Sequence, residues 1–240
     1  QVLGDTIIVS QPTVSRIVFR VSILLARLLK QFIKMPLTPD ATRENQRLFK
    51  DIGRGDGGIG LPGIEGAIDC THAVIGPRTE FLDIVSEWPG SQHDSRIFQN
   101  SRIYMKYVER QLSGILVGDA GYPCLPFLLT PIQNPQTDEE ITYNILHRRT
   151  RIIVERTFGI WKRRFPCLSR VLSNKLICST TIVVACAVLH NLSLIFNDVL
   201  PEEEIFEEVN EMEEVPVDAP HWEPGEGFVM RAELIERLFR

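Results

Sequence analysis

Ile64-Glu65-Gly66-Ala67-Ile68-Asp69 and Ile115-Leu116-Val117-Gly118-Asp119 decide how this chain reads. Each is a short apolar run that ends in an aspartate. Such runs, bounded by glycine or proline, read as buried strands. An aspartate just past a buried strand stands at a sheet edge on a rigid element, where a site can be held in place. Further along, Arg151-Ile152-Ile153-Val154-Glu155-Arg156-Thr157-Phe158-Gly159 lies in a long helical pattern, Asp138–Arg164. Ile152, Ile153 and Phe158 suit a core face. Glu155 follows Arg151 by four residues and has Lys162 seven residues on along the same face, so a plain i,i+4 ion pair is one reading of this carboxylate.

The remaining pattern extends from these three points. Ile64–Thr71 and Glu80–Ser86 read as strands, and Ser91–Tyr107 as a turn running into a helix. Pro126–Pro135 reads as a loop, and Ile177–Phe196 as a core helix. The latter is interrupted by Ser179, Thr180, Thr181, His190, Asn191 and Ser193, too polar a set for a membrane span. Strands followed by helices in one run indicate an α/β layered fold. The first residues lack the basic start and apolar block of a signal peptide. Gln1 stands where a Met would start a whole chain, inside a helical motif, and reads as the start of a fragment. The five cysteines form no C-x-x-C pair and are odd in number, the usage of a reduced intracellular protein without a disulfide framework or zinc cluster.

The formal charge of −5 over 240 residues conceals a division. Residues 198–218 hold 10 acidic residues and no Lys or Arg, whereas residues 1–197 hold 23 basic and 17 acidic, a net +6. Residues 148–175 alone carry nine basic side chains, with Glu155 the single acid among them. A polyphosphate chain is attracted to such a face, although a solvated helix surface has the same composition.

Three carboxylates on separate elements suit a hard divalent cation, which takes oxygen ligands and substrate phosphates. Two such ions can clamp the attacking and leaving oxygens of a phosphoryl displacement. From Asp119 to Glu155 there are 35 intervening residues. This Asp, Asp, 35 residues, Glu arrangement resembles the DDE transposases and integrases. Five local words sharpen the likeness: Gly66-Ala67-Ile68-Asp69-Cys70-Thr71-His72, Glu87-Trp88-Pro89-Gly90-Ser91-Gln92-His93-Asp94-Ser95, Gly118-Asp119-Ala120-Gly121-Tyr122-Pro123, Arg151 to Gly159, and Ala185-Cys186-Ala187-Val188-Leu189-His190-Asn191. In that order they resemble a PIF/Harbinger transposase and the Harbinger transposase-derived nucleases, over about residues 1–196.

The resemblance implies an RNase H-like mixed sheet flanked by helices, preceded by a partial helix-turn-helix. It implies a DNA nuclease with Asp69, Asp119 and Glu155 as catalytic ligands of Mg²⁺ or Mn²⁺, acting on DNA by a two-metal mechanism. Arg151, Arg156, Lys162, Arg163 and Arg164 would contact the DNA backbone. Gln11, Thr13, Arg16 and Arg20, on a helix started by Ser10 and Pro12, would contact bases and phosphates; plain packing of that helix is the other reading. The apolar positions Val14, Ile17, Val18, Val21, Leu24 and Leu25 are expected to face inward. The family further implies a Myb/SANT-like partner protein and residence in the nucleus, with the cytoplasm as a second compartment; no membrane is involved.

His72, His93 and Asp94 are accessory candidates, with a helix cap as the alternative for Asp94. His190-Asn191 reads as a hydrogen-bonded core pair. The expected division is residues 1–34 for the partial helix-turn-helix, 35–63 for a linker with a short polar helix and a Gly-rich stretch, 64–196 for the nuclease domain, 197–226 for an acidic disordered tail and 227–240 for a terminal amphipathic helix. One departure from the family stands out. Its members carry a further strand after the Asp-Cys-Thr-His word, whereas here Gly76-Pro77-Arg78-Thr79 runs straight to Glu80-Phe81-Leu82-Asp83. A central strand is therefore expected to be missing, leaving sheet edges to rejoin or stay exposed. That loss also fits a catalytically inactive remnant that binds DNA or protein.

Overall fold

The computed structural model describes residues 10–54, 58–69, 73–85, 94–169, 176–198 and 225–239. Helix α1 (Gln11–Ala26) and the single turn α2 (Leu29–Phe32) precede α3 (Pro39–Arg54). Then come β1 (Ile64–Asp69), β2 (Ala73–Ile75), β3 (Phe81–Ile84), α4 (Asp94–Gln99), α5 (Arg102–Val108), β4 (Ile115–Val117) and β5 (Leu128–Leu129). The long α6 (Asp138–Arg164), a 3-10 turn (Pro166–Ser169), α7 (Leu176–Ile195) and α8 (Glu226–Phe239) complete the chain.

The described strands form one mixed sheet in the order β3-β2-β1-β4-β5. β1 and β4 are parallel neighbours, as are β4 and β5, while β2 is antiparallel to both β1 and β3. Among the described strands the sheet is continuous. Ala73-Val74-Ile75 fills the place beside β1 where a strand was expected to be missing, pairing Ala67 with Ile75 and Asp69 with Ala73. Three apolar residues are too few to show a strand period, so this strand is invisible to pattern reading. β5, two residues inside the expected Pro126–Pro135 loop, is hidden for the same reason.

Alternation along the strands sorts side chains onto two faces. Ala67, Ala73, Ile75, Val117 and Leu129 join a core with Phe49, Val154, Trp161 and Val188. Ile68, Val74, Leu116 and Leu128 join a second core on the opposite face, with Phe98, Ile103 and Tyr107 of α4 and α5. The sheet thus lies between two helical layers. A register shift between Ile64 and Gly66 changes the phase, so that Ile64 and Ala67 share one core.

Several elements differ from their sequence reading. The short polar helix expected within 35–63 is α3, and it is less purely polar than its sequence reads, since its Phe49 is fully buried against the sheet. The helix expected to Tyr107 is two helices, broken at Ser101, whose side chain caps α5 by accepting from the Tyr104 amide at 3.2 Å. On α1 the expected inward stripe is turned outward: Ile17, Val18, Val21 and Leu24 are 48–59% exposed, and Ser22 is buried instead. That helix is apolar on more than one side, and α7 packs against the side holding Ser22. Ser10 makes no side-chain cap; its hydroxyl meets that of Thr13. α8 is docked on the body through Leu234 and the buried Arg231, which donates to the carbonyls of Thr130 and Pro131. Gly227 lies against the Cys124 carbonyl, where a Cβ would collide. The acidic segment 199–224 lies outside the described residues.

Cys178–Ile195 is long and apolar enough to cross a membrane. Here it supplies Cys186, Ala187 and Val188 to the core, as a core helix does. Its interrupting polar groups have structural work. Asn191 accepts from the Phe81 amide at 2.8 Å and donates to the carbonyls of Phe81 and Phe32 at 2.8 Å, which occupies backbone groups of the edge strand β3. The four described cysteines are free thiols.

Candidate functional site

Parallel neighbours carry their C-terminal ends to the same side of a sheet. Ala67 of β1 pairs with Val117 of β4, and two residues beyond each stand Asp69 and Asp119. The register, rather than any local sequence feature, places these two acids side by side. α6 crosses the sheet over β1, β2 and β4 and brings Glu155 to the same end.

Arg151 joins the group together. Its guanidinium donates to Glu155 Oε1 at 2.8 Å, the ion pair expected from their spacing, and lies 3.7 Å from Asp69 Oδ2. The pair with Asp69 is largely sheltered, the Arg151 side chain 22% and that of Asp69 16% exposed, whereas that of Glu155 is 35% exposed. Asp119 Oδ1 accepts from the Gly121 amide at 2.9 Å, an Asx turn that fixes the carboxylate. Burial raises the Asp119 carboxyl above its ordinary range, and the charge of Asp69 raises it further; the Gly121 amide and Arg151 pull in the opposite direction. The acids therefore press on each other, and the cation of Arg151 compensates them.

Among the described residues, no three His, Cys, Asp or Glu side chains come close enough together to hold a metal ion. The donor chemistry nonetheless suits a hard cation. The carboxylate oxygens lie on rigid elements, and the mutual repulsion of Asp69 and Asp119 favours a positive charge between them.

The basic candidates divide by helix face. At 3.6 residues per turn, Arg148, Arg151 and Lys162 lie on the side of Glu155. Arg156 is turned about 100° away. Arg164 faces the opposite side, its side chain 15% exposed and its guanidinium bound by Asp198 at 2.7 Å. Arg163 is half-buried. On α1, Gln11, Arg16 and Arg20 are exposed, and Arg16 is spent locally on the Pro12 carbonyl and the Thr13 hydroxyl. His72 and His93 lie outside the described residues, and so does the side chain of Asp94, which opens α4. Sequence reading assigned Arg151 to DNA or to Glu155. Its reach to Asp69 depends on how α6 lies over β1, which spacing cannot show.

Residues 69–191, just over half of the chain, match the DDE superfamily endonuclease family. The chain belongs to the DDE superfamily endonucleases. The matched span of this DDE endonuclease begins at the first acid and ends at Asn191, enclosing Asp119 and Glu155. Among curated proteins it is similar to "Putative nuclease HARBI1" of Homo sapiens, 31% identical over 221 positions that take in 80% of this chain and 62% of that protein. The Xenopus laevis protein of the same name is 29% identical over 265 positions, with 97% and 73% covered. "Protein ALP1-like" of Arabidopsis thaliana is 28% identical over 244 positions, with 82% and 57% covered. The expected Harbinger relationship holds. The chain spans about three fifths of the length of the human relative. Because 80% of 240 residues is about 192, about 29 of the 221 positions aligned with the human relative have no counterpart here. No solved structure matches.

Proposed function

We propose that this chain is a divalent-metal-dependent DNA endonuclease of transposase origin with an RNase H-like core. The observation that carries the reading is the meeting of Asp69, Asp119 and Glu155 around one arginine at the C-terminal ends of adjacent parallel strands. Asp69, Asp119 and Glu155 would hold Mg²⁺ or Mn²⁺. A pair of such ions would supply an activated water and neutralise the charge on the departing oxygen of a phosphodiester. With a cation compensating the acids in its place, Arg151 would be available to the substrate phosphate, and Arg148 and Lys162 on the same helix face would hold the flanking backbone. The turn at Gly121 keeps Asp119 aimed while its neighbours exchange partners. Gln11, Thr13, Arg16 and Arg20 on α1 would make a further DNA contact. A Myb/SANT-like partner and nuclear residence follow from the same reading.

A second reading is favoured by one observation: Arg151 already neutralises Asp69 and Glu155. In it the chain is a catalytically inactive remnant that binds DNA or protein. Nicking of supercoiled plasmid in Mn²⁺, wild type against Asp119→Ala, separates the two. Loss of nicking by at least a hundredfold in the variant supports the nuclease; equal nicking, or none from either, overturns it.

A further inference from the structure

A cleft of about 310 Å³ opens on the side of α6 turned away from the acids, between that helix, the C-terminal turns of α7 and the β2–β3 turn. Apolar side chains line it, Ile152 and Leu194 among them, together with three arginines: Arg78, Arg156 and Arg164. Glu155 and Arg156 are consecutive residues, yet one joins the acids and the other lines this cleft.

The charges here are unevenly satisfied. Arg78 is tied to Glu44 at 3.1 Å, and Arg164 to Asp198 through its terminal nitrogens. Arg156 has no ion-pair partner among the described residues. Two buried polar atoms on the cleft residues also lack partners. Arg164 Nε is a donor with no acceptor, and His190 Nδ1 has no hydrogen bond although the residue is only 1% exposed. The role of Nδ1 follows from the other ring nitrogen. His190 Nε2 lies 2.8 Å from the Thr79 carbonyl, which only accepts, so Nε2 carries the proton. Burial, and to a smaller extent Arg164, hold this imidazole below its ordinary range, against the pull of the Thr79 carbonyl, so the ring stays neutral and Nδ1 is an acceptor. Thr79 is itself in the left-handed region at φ 65°, uncommon for a β-branched residue.

An apolar lining, an unpaired guanidinium, a buried donor and a buried acceptor define a ligand. It must carry an anion for Arg156 and Arg164 Nε, a hydroxyl or N–H for His190 Nδ1, and a flat apolar part for Ile152 and Leu194. We propose that this cleft is a binding site for one nucleotide, its phosphate on Arg156 and Arg164 and its sugar hydroxyl or base N–H on His190. The site is distinct from the acids and needs no metal. The choice of nucleotide over other organic phosphates rests on the DNA-handling reading above.

Calorimetric titration of the full chain with 2′-deoxyadenosine 5′-monophosphate in EDTA tests this. Working without metal separates its failure from failure of the nuclease reading. The nucleotide is expected to bind at least tenfold more tightly than inorganic phosphate or deoxyadenosine alone. Both R156E and R156Q should weaken it by at least about tenfold, the loss expected for a charge-assisted phosphate contact. R237E, the same change of charge on the exposed side of α8, should leave binding unchanged. Equal binding by wild type and both Arg156 variants, equal binding of phosphate and nucleotide, or an equal loss in R237E would each overturn the proposal.

Discussion

At the scale of single residues, Arg151 and Glu65 show how burial makes a charge consequential. Arg151 is the cation on which the candidate site is built. Glu65, at the other end of β1, is 1% exposed and accepts from the Tyr107 hydroxyl at 2.5 Å. Burial raises its carboxyl above the ordinary range, and the hydrogen bonds from Tyr107 and the Gly114 amide recover part of the shift. With the folded pKa above the unfolded one, the stability this group contributes is complete at pH values below the unfolded pKa. It is lost as pH rises through the folded pKa and the buried carboxylate ionises. Glu65→Gln keeps the acceptor for Tyr107 and removes the charge. Its melting temperature should therefore rise relative to wild type between pH 4 and pH 8, by about 2–4 °C for each kcal/mol involved. A difference that stays flat across that range would show that folding does not raise the Glu65 carboxyl as its burial demands.

At the scale of elements, α6 is the beam on which both the acid site and the nucleotide cleft are mounted. Its start is specified by a capping box. The Thr137 hydroxyl accepts from the Glu140 amide at 3.3 Å, and the Glu140 carboxylate accepts from the Thr137 amide at 3.4 Å. Asp138, Glu139 and Glu140 open the helix and Lys162, Arg163 and Arg164 close it, which complements its dipole at both ends. Thr137→Ala should cost about 1 kcal/mol and lower the melting temperature by about 2–4 °C, measured by circular dichroism. No change would mean that tertiary packing alone sets the helix start. This helix was legible in the sequence at both ends because cap, charge and period agree. α1 was legible as a helix but not in its facing, since a helix with apolar residues on more than one side does not say which side its neighbour takes. β2 and β5 were not legible at all, because strands of three and two residues carry too few positions to show alternation.

At the scale of the whole molecule, the net charge of −5 describes no surface. A body at +6 precedes a segment, 198–218, with 10 carboxylates and no basic residue. Asp198, the first of them, already pairs with Arg164 beside the nucleotide cleft. Deleting residues 201–218 should strengthen binding of a duplex oligonucleotide at about 50 mM salt, and the gain should shrink near 300 mM as screening shortens the reach of charge. Unchanged affinity at low salt would show that the acidic segment does not compete with DNA.

The sequence by itself determined the two strand–aspartate units, the basic helix with Glu155, the core helix and the family, because each is written in contiguous residues or fixed spacings. Only the tertiary structure decided the rest. The parallel register of β1 and β4 set Asp69 beside Asp119, the path of α6 gave Arg151 to the acids, and Ala73-Val74-Ile75 closed the sheet where a strand was expected to be missing. It also turned Arg156 into a cleft with His190, a residue 34 positions away. These are contacts between residues far apart in the chain, fixed by how layers pack, and no local pattern encodes them.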